Sequence, residues 1–358
     1  MNKSIPHSKP FVGTKEKSAA ARVITSCQLS QGKEVALLER ELCASAGHRY
    51  GVAVSCGTAA LYCALRGLDV GKGDRVIIPS YVCTALLNAV HACSATPVLC
   101  DVDAQTGNMN VHTVKKAFSN RVKAVIVPHM FGCPADAAAI ESLGVPVVED
   151  CAQCVGARID GRKVGSLTAL SVFSFYSTKL LAAGEGGLVA TSNKKVAARI
   201  ADMRDYDKKE DWLPRFNFKL SDIHAAIARQ QLKKLKAIIA ARRKIAAYYS
   251  RELLAILGSD ALPVHESCNN PVYYRYIVRV KKNLDGIIKR LNRKGIGAAR
   301  PIYKPLHQYL GTNGFPGTEQ IHSHAMSIPI YPGLSRENQR RVISILIDIL
   351  ETGGRGRR

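Results

Sequence analysis

The chain has 358 residues, 47% hydrophobic and 22% charged, with 51 lysines and arginines against 28 acidic residues and a net charge of +23. That composition excludes a disordered or low-complexity protein and leaves room for one large globular domain and a smaller one. No apolar run reaches the ~18 residues of a membrane-spanning helix, and the basic N-terminal stretch lacks the apolar core of a secretory signal. No membrane association is expected, and the cytoplasm is the expected location.

The eleven cysteines are scattered through apolar segments, as at Cys56, Cys63, Cys93 and Cys100, and read as small buried residues rather than a disulfide framework. Cys151 and Cys154 form a C-x-x-C with no second pair at metal-site spacing, so no metal is expected. The positive charge would draw polyanions. It is spread over separate runs, as at 233–244 and 289–294, without aromatic interleaving or zinc-finger spacing. It reads as solvated helix faces with a general pull on anionic substrates, and no nucleic-acid partner is expected.

In chain order, residues 1 to about 20 read as a loosely held arm. Val35, Leu38 and Leu42 share one helical face and predict a helix over 34–46. A strand–helix alternation follows. Strands are expected at 52–54, 75–79, 97–102, 124–127 and 145–149, with helices at 59–65, 84–92, 111–118 and 135–143. Two more apolar runs, 170–175 and 188–190, flank a loop that carries Lys179. This rhythm predicts an α/β fold with a mostly parallel, seven-stranded sheet covered by helices. Such sheets bind ligands at the carboxyl ends of their strands. A long helix rich in alanine, lysine and isoleucine runs from Ser221 to about Leu254. After it, an alternating strand at 272–280, a helix at 284–294, a loop around 300–305 and a closing helix at 337–349 predict a smaller α+β unit. The expected division is 1–240 and 241–358.

Four features carry chemistry. Lys179, fixed between buried strands, would be partly desolvated, which favours a neutral amine able to attack a carbonyl; a solvated loop lysine is the alternative. Gly57 and Thr58 lie at a strand–helix junction, where glycine permits close approach and helix N–H groups can hold a phosphate; an ordinary helix start looks the same. Asp150 ends an apolar strand with Gln153 three residues on, a place for a carboxylate to pair with a protonated pyridine nitrogen or to cap a turn. Ser174, Ser177 and Thr178 crowd around the lysine, ready to hydrogen-bond a phosphate or phenolic oxygen, or only to cap the turn.

In order and spacing, Ser55 to Leu61 (S-x-G-T-x-A-L), Glu149 to Gln153 (E-D-x-A-Q), Phe173 to Lys179 (F-S-F-Y-x-T-K) and Gly184 to Gly187 (G-E-G-G) resemble the DegT/DnrJ/StrS group of fold type I sugar aminotransferases. Pro79-Ser80-Tyr81, Asn217 with Asp222 and Ala225-Ala226, and Pro329 to Leu334 extend the match across 28–349. The resemblance implies pyridoxal 5'-phosphate as cofactor, with Lys179 as its Schiff-base lysine and proton shuttle. It places Asp150 on the pyridine nitrogen, Gln153 on the phenolic oxygen, and Gly57, Thr58 and Ser174 on the phosphate. It sends Asn217 to the phosphate of a neighbouring subunit, which implies a homodimer with shared sites.

The implied reaction moves an amino group, with glutamate as donor, to a nucleotide-linked keto-deoxysugar in amino-sugar biosynthesis. The alternatives are a pyridoxal-phosphate sugar dehydratase or lyase, and a basic nucleic-acid-binding regulator on the same scaffold. Lys179 speaks against the dehydratase branch that carries histidine there. Three places depart from the pattern: Cys83 stands where an aromatic ring often stacks on the pyridine, Lys219 where arginine is common, and Cys27 to Ser30 (CQLS) matches the usual G-x-L-S/T only loosely. Tyr303 and His307 are candidate substrate contacts, equally readable as structural.

Overall fold

The computed structural model describes residues 4–263 and 270–353. Helices α1 (Thr14–Thr25) and α2 (Lys33–Ser45) lead into β1 (Tyr50–Val54), α3 (Gly57–Gly67), β2 (Arg75–Pro79), α4 (Ala85–Ala92), β3 (Thr96–Cys100), α5 (Val111–Ala117), β4 (Val122–Pro128), α6 (Ala137–Glu141) and β5 (Val147–Asp150). A short hairpin, β6 (Arg158–Ile159) and β7 (Arg162–Lys163), precedes β8 (Leu170–Ser174), β9 (Gly187–Thr191) and α7 (Lys194–Met203). The chain ends with α8 (Asp222–Leu257), β10 (Tyr276–Arg279), α9 (Leu284–Arg293), α10 (Leu306–Leu310), α11 (Pro316–His324), β11 (Ala325–Ile328) and α12 (Arg336–Gly353).

The main sheet has seven strands in the order β1-β9-β8-β5-β4-β2-β3. Only β9 runs against its neighbours; the other pairings are parallel. Successive residues of a strand face opposite sides, and here both sides are buried. Ile77, Val125, Val127, Phe173 and Leu188 join one apolar cluster, while Val76, Ile78, Ala124, Ile126, Val172 and Val189 join another. That is why these strands read as unbroken apolar runs.

Helix α8 is 36 residues long, roughly 54 Å at about 1.5 Å per residue. Its first half gives Ala225, Ala228, Leu235 and Ile239 to one of the sheet clusters. Its second half gives Ile245, Ala246, Tyr249 and Leu253 to a third cluster, built on β10, β11, α9 and α12. Ile5 also belongs to that third cluster, its N–H and C=O bonded to Gly295 and Gly297.

Three local expectations are corrected. The N-terminal arm, of which residues 1–3 lie outside the described residues, is not loose from Ser4 on: α1 packs Ala19 and Val23 on Ala226 of α8, and buried Glu16 pairs with Lys234 and accepts from Gln231. The stretch 272–280 is a strand only from Tyr276, because Tyr273 sits at φ +48°, which breaks extended backbone. Nine cysteines among the described residues are free, but Cys133 is disulfide-bonded, which the cysteine spacing did not signal.

Candidate active site

Parallel strands end on one edge of their sheet, and along this edge lies a cavity of about 220 Å³. Cys56, Gly57 and Thr58 reach it from the β1–α3 junction, and Val82 and Cys83 from the loop after β2. Asp150, Ala152 and Gln153 come from the end of β5, and Ser174, Tyr176 and Lys179 from the end of β8. Lys179 and Asp150, far apart in sequence, thus line one space.

Glycine makes the junction possible. A Cβ on Gly57 would lie 2.9 Å from Ser174 Cβ and 3.0 Å from its Oγ, so the start of α3 abuts the serine hydroxyl. A Cβ on Gly187 would lie 2.5 Å from the Cys56 carbonyl oxygen. At the helix start Cys56 is the N-cap: its Sγ accepts from the Ala59 N–H at 3.3 Å and its carbonyl from the Ala60 N–H at 3.0 Å. The Thr58 N–H then remains among the open donors of the first turn.

Asp150 is buried, and its Oδ1 accepts from the Ala152 N–H at 3.0 Å. No donor reaches Oδ2 among the described residues. Burial pushes this carboxyl above its ordinary range, against the Ala152 N–H and the positive charge of Lys179. Gln153 accepts from the Phe131 N–H at 2.9 Å, and its Nε2 lies 3.8 Å from Met130 Sδ.

The β8–β9 loop holds Lys179 from several sides. Its own N–H bonds the Tyr176 carbonyl at 2.8 Å, and the Ala183 N–H bonds Phe175 at 2.8 Å. Ser177 Oγ donates to the Gly184 carbonyl at 3.2 Å. Gly186, at φ +131°, turns where a Cβ would meet Phe175 Cδ2 at 2.7 Å. The Lys179 side chain is half-buried, with Nζ 5.0 Å from the Tyr274 ring centre. Cys83 is open to solvent; the packed protein around it raises its thiol above the usual range, opposed by the Ala85 N–H and the charge of Lys179.

Of the residues singled out in the sequence, Gly57, Thr58, Cys83, Asp150, Gln153, Ser174 and Lys179 meet at this cavity. Six others do not line it. Ser177 Oγ is taken by the Gly184 carbonyl and Thr178 Oγ1 by the Tyr274 hydroxyl. Asn217 is exposed between Phe216 and Phe218, which stack at 4.8 Å. Lys219 is drawn to Asp205 and Asp207, at 2.6 and 3.2 Å. Tyr303 is 87% exposed. His307 is buried, bonded to Ser80 Oγ at 2.7 Å and stacked on Phe315 at 5.1 Å, so it braces the β2 loop rather than facing the cavity.

Sequence reasoning gave no role to Cys56, Tyr176 or Glu185, which also line the cavity, although all three lie inside the quoted motifs. It also missed Glu149, which accepts the N–H groups of Gly165, Leu167 and Thr168 and the His129 ring N–H. A carboxylate inside an apolar strand was the available signal, since a buried charge needs a donor set.

The model of the family described as DegT/DnrJ/EryC1/StrS aminotransferases matches residues 11–347. The aminotransferase TlmJ from Streptoalloteichus hindustanus is 30% identical, covering 98% of this chain and 100% of its own, with a TM-score of 0.92. DesV of S. venezuelae, solved in complex with a ketimine intermediate, is 32% identical over 97% and 99% of the two chains, with a TM-score of 0.88. A DegT/DnrJ/EryC1/StrS aminotransferase from Brucella abortus is 28% identical over 96% of each, with a TM-score of 0.84. This chain belongs to the DegT/DnrJ/EryC1/StrS aminotransferase family, whose members are pyridoxal-phosphate-dependent sugar aminotransferases.

Proposed function

We propose that this enzyme binds pyridoxal 5'-phosphate in the cavity at the strand ends and transfers an amino group from glutamate to a nucleotide-linked keto-deoxysugar, for amino-sugar and polysaccharide biosynthesis in the cytoplasm. The observation that carries the reading is the meeting of Gly57, Thr58, Asp150, Gln153, Ser174 and Lys179 around one cavity. Two features fit the cofactor. Gly57, with no Cβ, lets the start of α3 close on the Ser174 hydroxyl, so helix N–H groups and that hydroxyl border one cavity, suited to a phosphate. Asp150, itself a buried residue that lines the cavity, keeps one carboxylate oxygen with no donor among the described residues, suited to a protonated ring nitrogen.

When bound, pyridoxal phosphate supplies an aldehyde and a ring that takes up electrons from the amine-bearing carbon. The rest falls to the chain. Gly57, Thr58 and Ser174 hold the phosphate, Gln153 offers its amide N–H to the phenolic oxygen, and Asp150 keeps the ring nitrogen protonated. Lys179 provides the amine that anchors the aldehyde and, once free, the base that takes and returns the substrate proton at Nζ. Cys83 occupies the ring-stacking position with a small polarisable side chain. Asn217, exposed on this chain, reaches the neighbouring subunit's phosphate in a homodimer. Tyr303, His307 and Lys219 have no assigned contact in the cavity of this chain, and any part in substrate recognition would be played from outside it.

The test is the spectrum of the purified protein with pyridoxal phosphate. A near-visible band that Lys179→Ala abolishes is expected, followed by amino transfer from glutamate to one member of a keto-sugar nucleotide panel, read by mass. Protein that stays colourless with added cofactor would eliminate the reading. Salt-sensitive nucleic-acid binding without turnover would favour the regulator instead.

A further inference from the structure

We propose that Tyr274 is the positioning residue for Lys179, with its ring as the perch of the amine and its hydroxyl as the tie that holds the lysine-bearing loop. The proposal rests on Lys179 being the cofactor-linking lysine.

Tyr274 comes from the stretch before β10, on the far side of the long helix from the Lys179 loop in sequence, and it is 7% exposed. Lys179 Nζ lies 5.0 Å from its ring centre, within the range where a ring face attracts a cation. Thr178 Oγ1, one residue before the lysine, is 3.1 Å from the Tyr274 hydroxyl. The same ring takes a second cation, Arg275, with Cζ at 4.8 Å from its centre and Nη2 at 3.5 Å from the hydroxyl. Burial would push the Tyr274 phenol up, but the charges of Lys179 and Arg275 and the hydrogen bond to Thr178 outweigh it and leave it below the ordinary value.

The perch is itself anchored. Buried Arg242 donates to the carbonyls of Tyr273, Tyr274 and Ile330 at 3.0, 3.2 and 2.9 Å. The Arg275 N–H bonds the Phe131 carbonyl at 3.2 Å, and the Phe131 N–H in turn bonds Gln153. Arg275 also meets His7 Nδ1 at 3.1 Å, and His7 Nε2 meets Ser327 Oγ at 2.7 Å. Tyr274 is thus fixed from both the N-terminal and C-terminal parts of the chain.

A lysine that makes and breaks a bond to a carbonyl carbon in every cycle is free in between, on a flexible four-carbon stem. A ring under the amine and a tie on the adjacent residue limit how far it strays, which shortens the search for the reacting carbon. No other ring is set against Lys179 Nζ among the described residues.

The experiment follows capture of added pyridoxal phosphate by cofactor-free protein. The lysine-linked band and borohydride trapping at Lys179 report the bond, and equilibrium dialysis reports total binding. Tyr274→Phe, which loses the tie, should slow bond formation two- to five-fold. Tyr274→Leu, which loses ring and tie, should slow it at least ten-fold, while total binding changes less than two-fold in both. Wild-type bond formation in either folded variant overturns the proposal, as does a parallel fall in bond formation and total binding, which marks a structural role. Should Tyr274→Leu fail to fold, Tyr274→Phe alone decides. If wild type forms no lysine-linked band, the functional reading fails and takes the proposal with it. A wild-type band with unaffected variants sinks Tyr274 alone.

Discussion

Replacing Glu149 with glutamine tests how the catalytic edge is held. The carboxylate is fully buried. Its Oε1 accepts from the N–H groups of Leu167 and Thr168 at 2.7 and 2.9 Å, and its Oε2 from the Gly165 N–H at 2.8 Å and His129 Nε2 at 3.2 Å. The other His129 nitrogen accepts from the Ala135 N–H at 2.9 Å, so the ring proton lies on the glutamate side. Glutamine keeps one acceptor oxygen and turns an NH₂ toward two donors. Two bonds to a charged acceptor are lost, each worth about 1.5–3 kcal/mol, so the expected loss is about 3–6 kcal/mol.

In urea this is a fall of roughly 1 M or more in midpoint, taking m as about 3 kcal/mol/M. The pH dependence follows from the carboxyl itself. Burial raises it, but the hydrogen bond from His129 and the N–H groups of Gly165 and Thr168 carry it below its ordinary value of 4.5. Its stabilisation is therefore complete above the unfolded value and lost as pH falls through the lower native one. The gap between wild type and E149Q should be flat from about pH 8 to 5 and close below about pH 4.5. A gap under about 1 kcal/mol at neutral pH, or one that widens in acid, would refute this account of the donor set.

Two further outcomes are expected. Gly57→Ala forces a methyl group into Ser174 at 2.9 Å; cofactor affinity measured by fluorescence titration should fall at least ten-fold, with the far-UV spectrum unchanged. Glu16→Ala removes the acceptor for Gly13 N–H, Gln231 Nε2 and Lys234 Nζ, at 2.8, 2.9 and 2.6 Å. It should cost about 2–4 kcal/mol and raise amide exchange along α1, while a truly loose arm would show neither.

Much of the fold was legible because its signals are local. A strand buried on both faces must be apolar at every position, as in Val76 to Ile78 or Val125 to Val127, and a helix packed on one side repeats as Val35, Leu38 and Leu42 do. The motifs around Thr58, Asp150 and Lys179 were legible for a related reason: each lies at the end of a parallel strand, and the topology gathers those ends. What could not be read was anything settled by which segments meet across the chain. β9 runs against β8 because the loop 175–186 brings the chain straight back beside the strand it has just left, with bends at Gly184 and Gly186, and nothing in the composition of β9 shows that. Lys219 and His307 have side chains that suit a binding site, yet Asp205 and Ser80, brought close by folding, hold them elsewhere. Tyr274 reads as one more residue of an alternating strand; its place beneath Lys179 exists because a left-handed turn at Tyr273 and the guanidinium of Arg242 set its backbone there. Periodicity records which way a side chain faces along its own element, whereas the partner on that side is chosen by chain closure over many residues, and no local pattern encodes that choice.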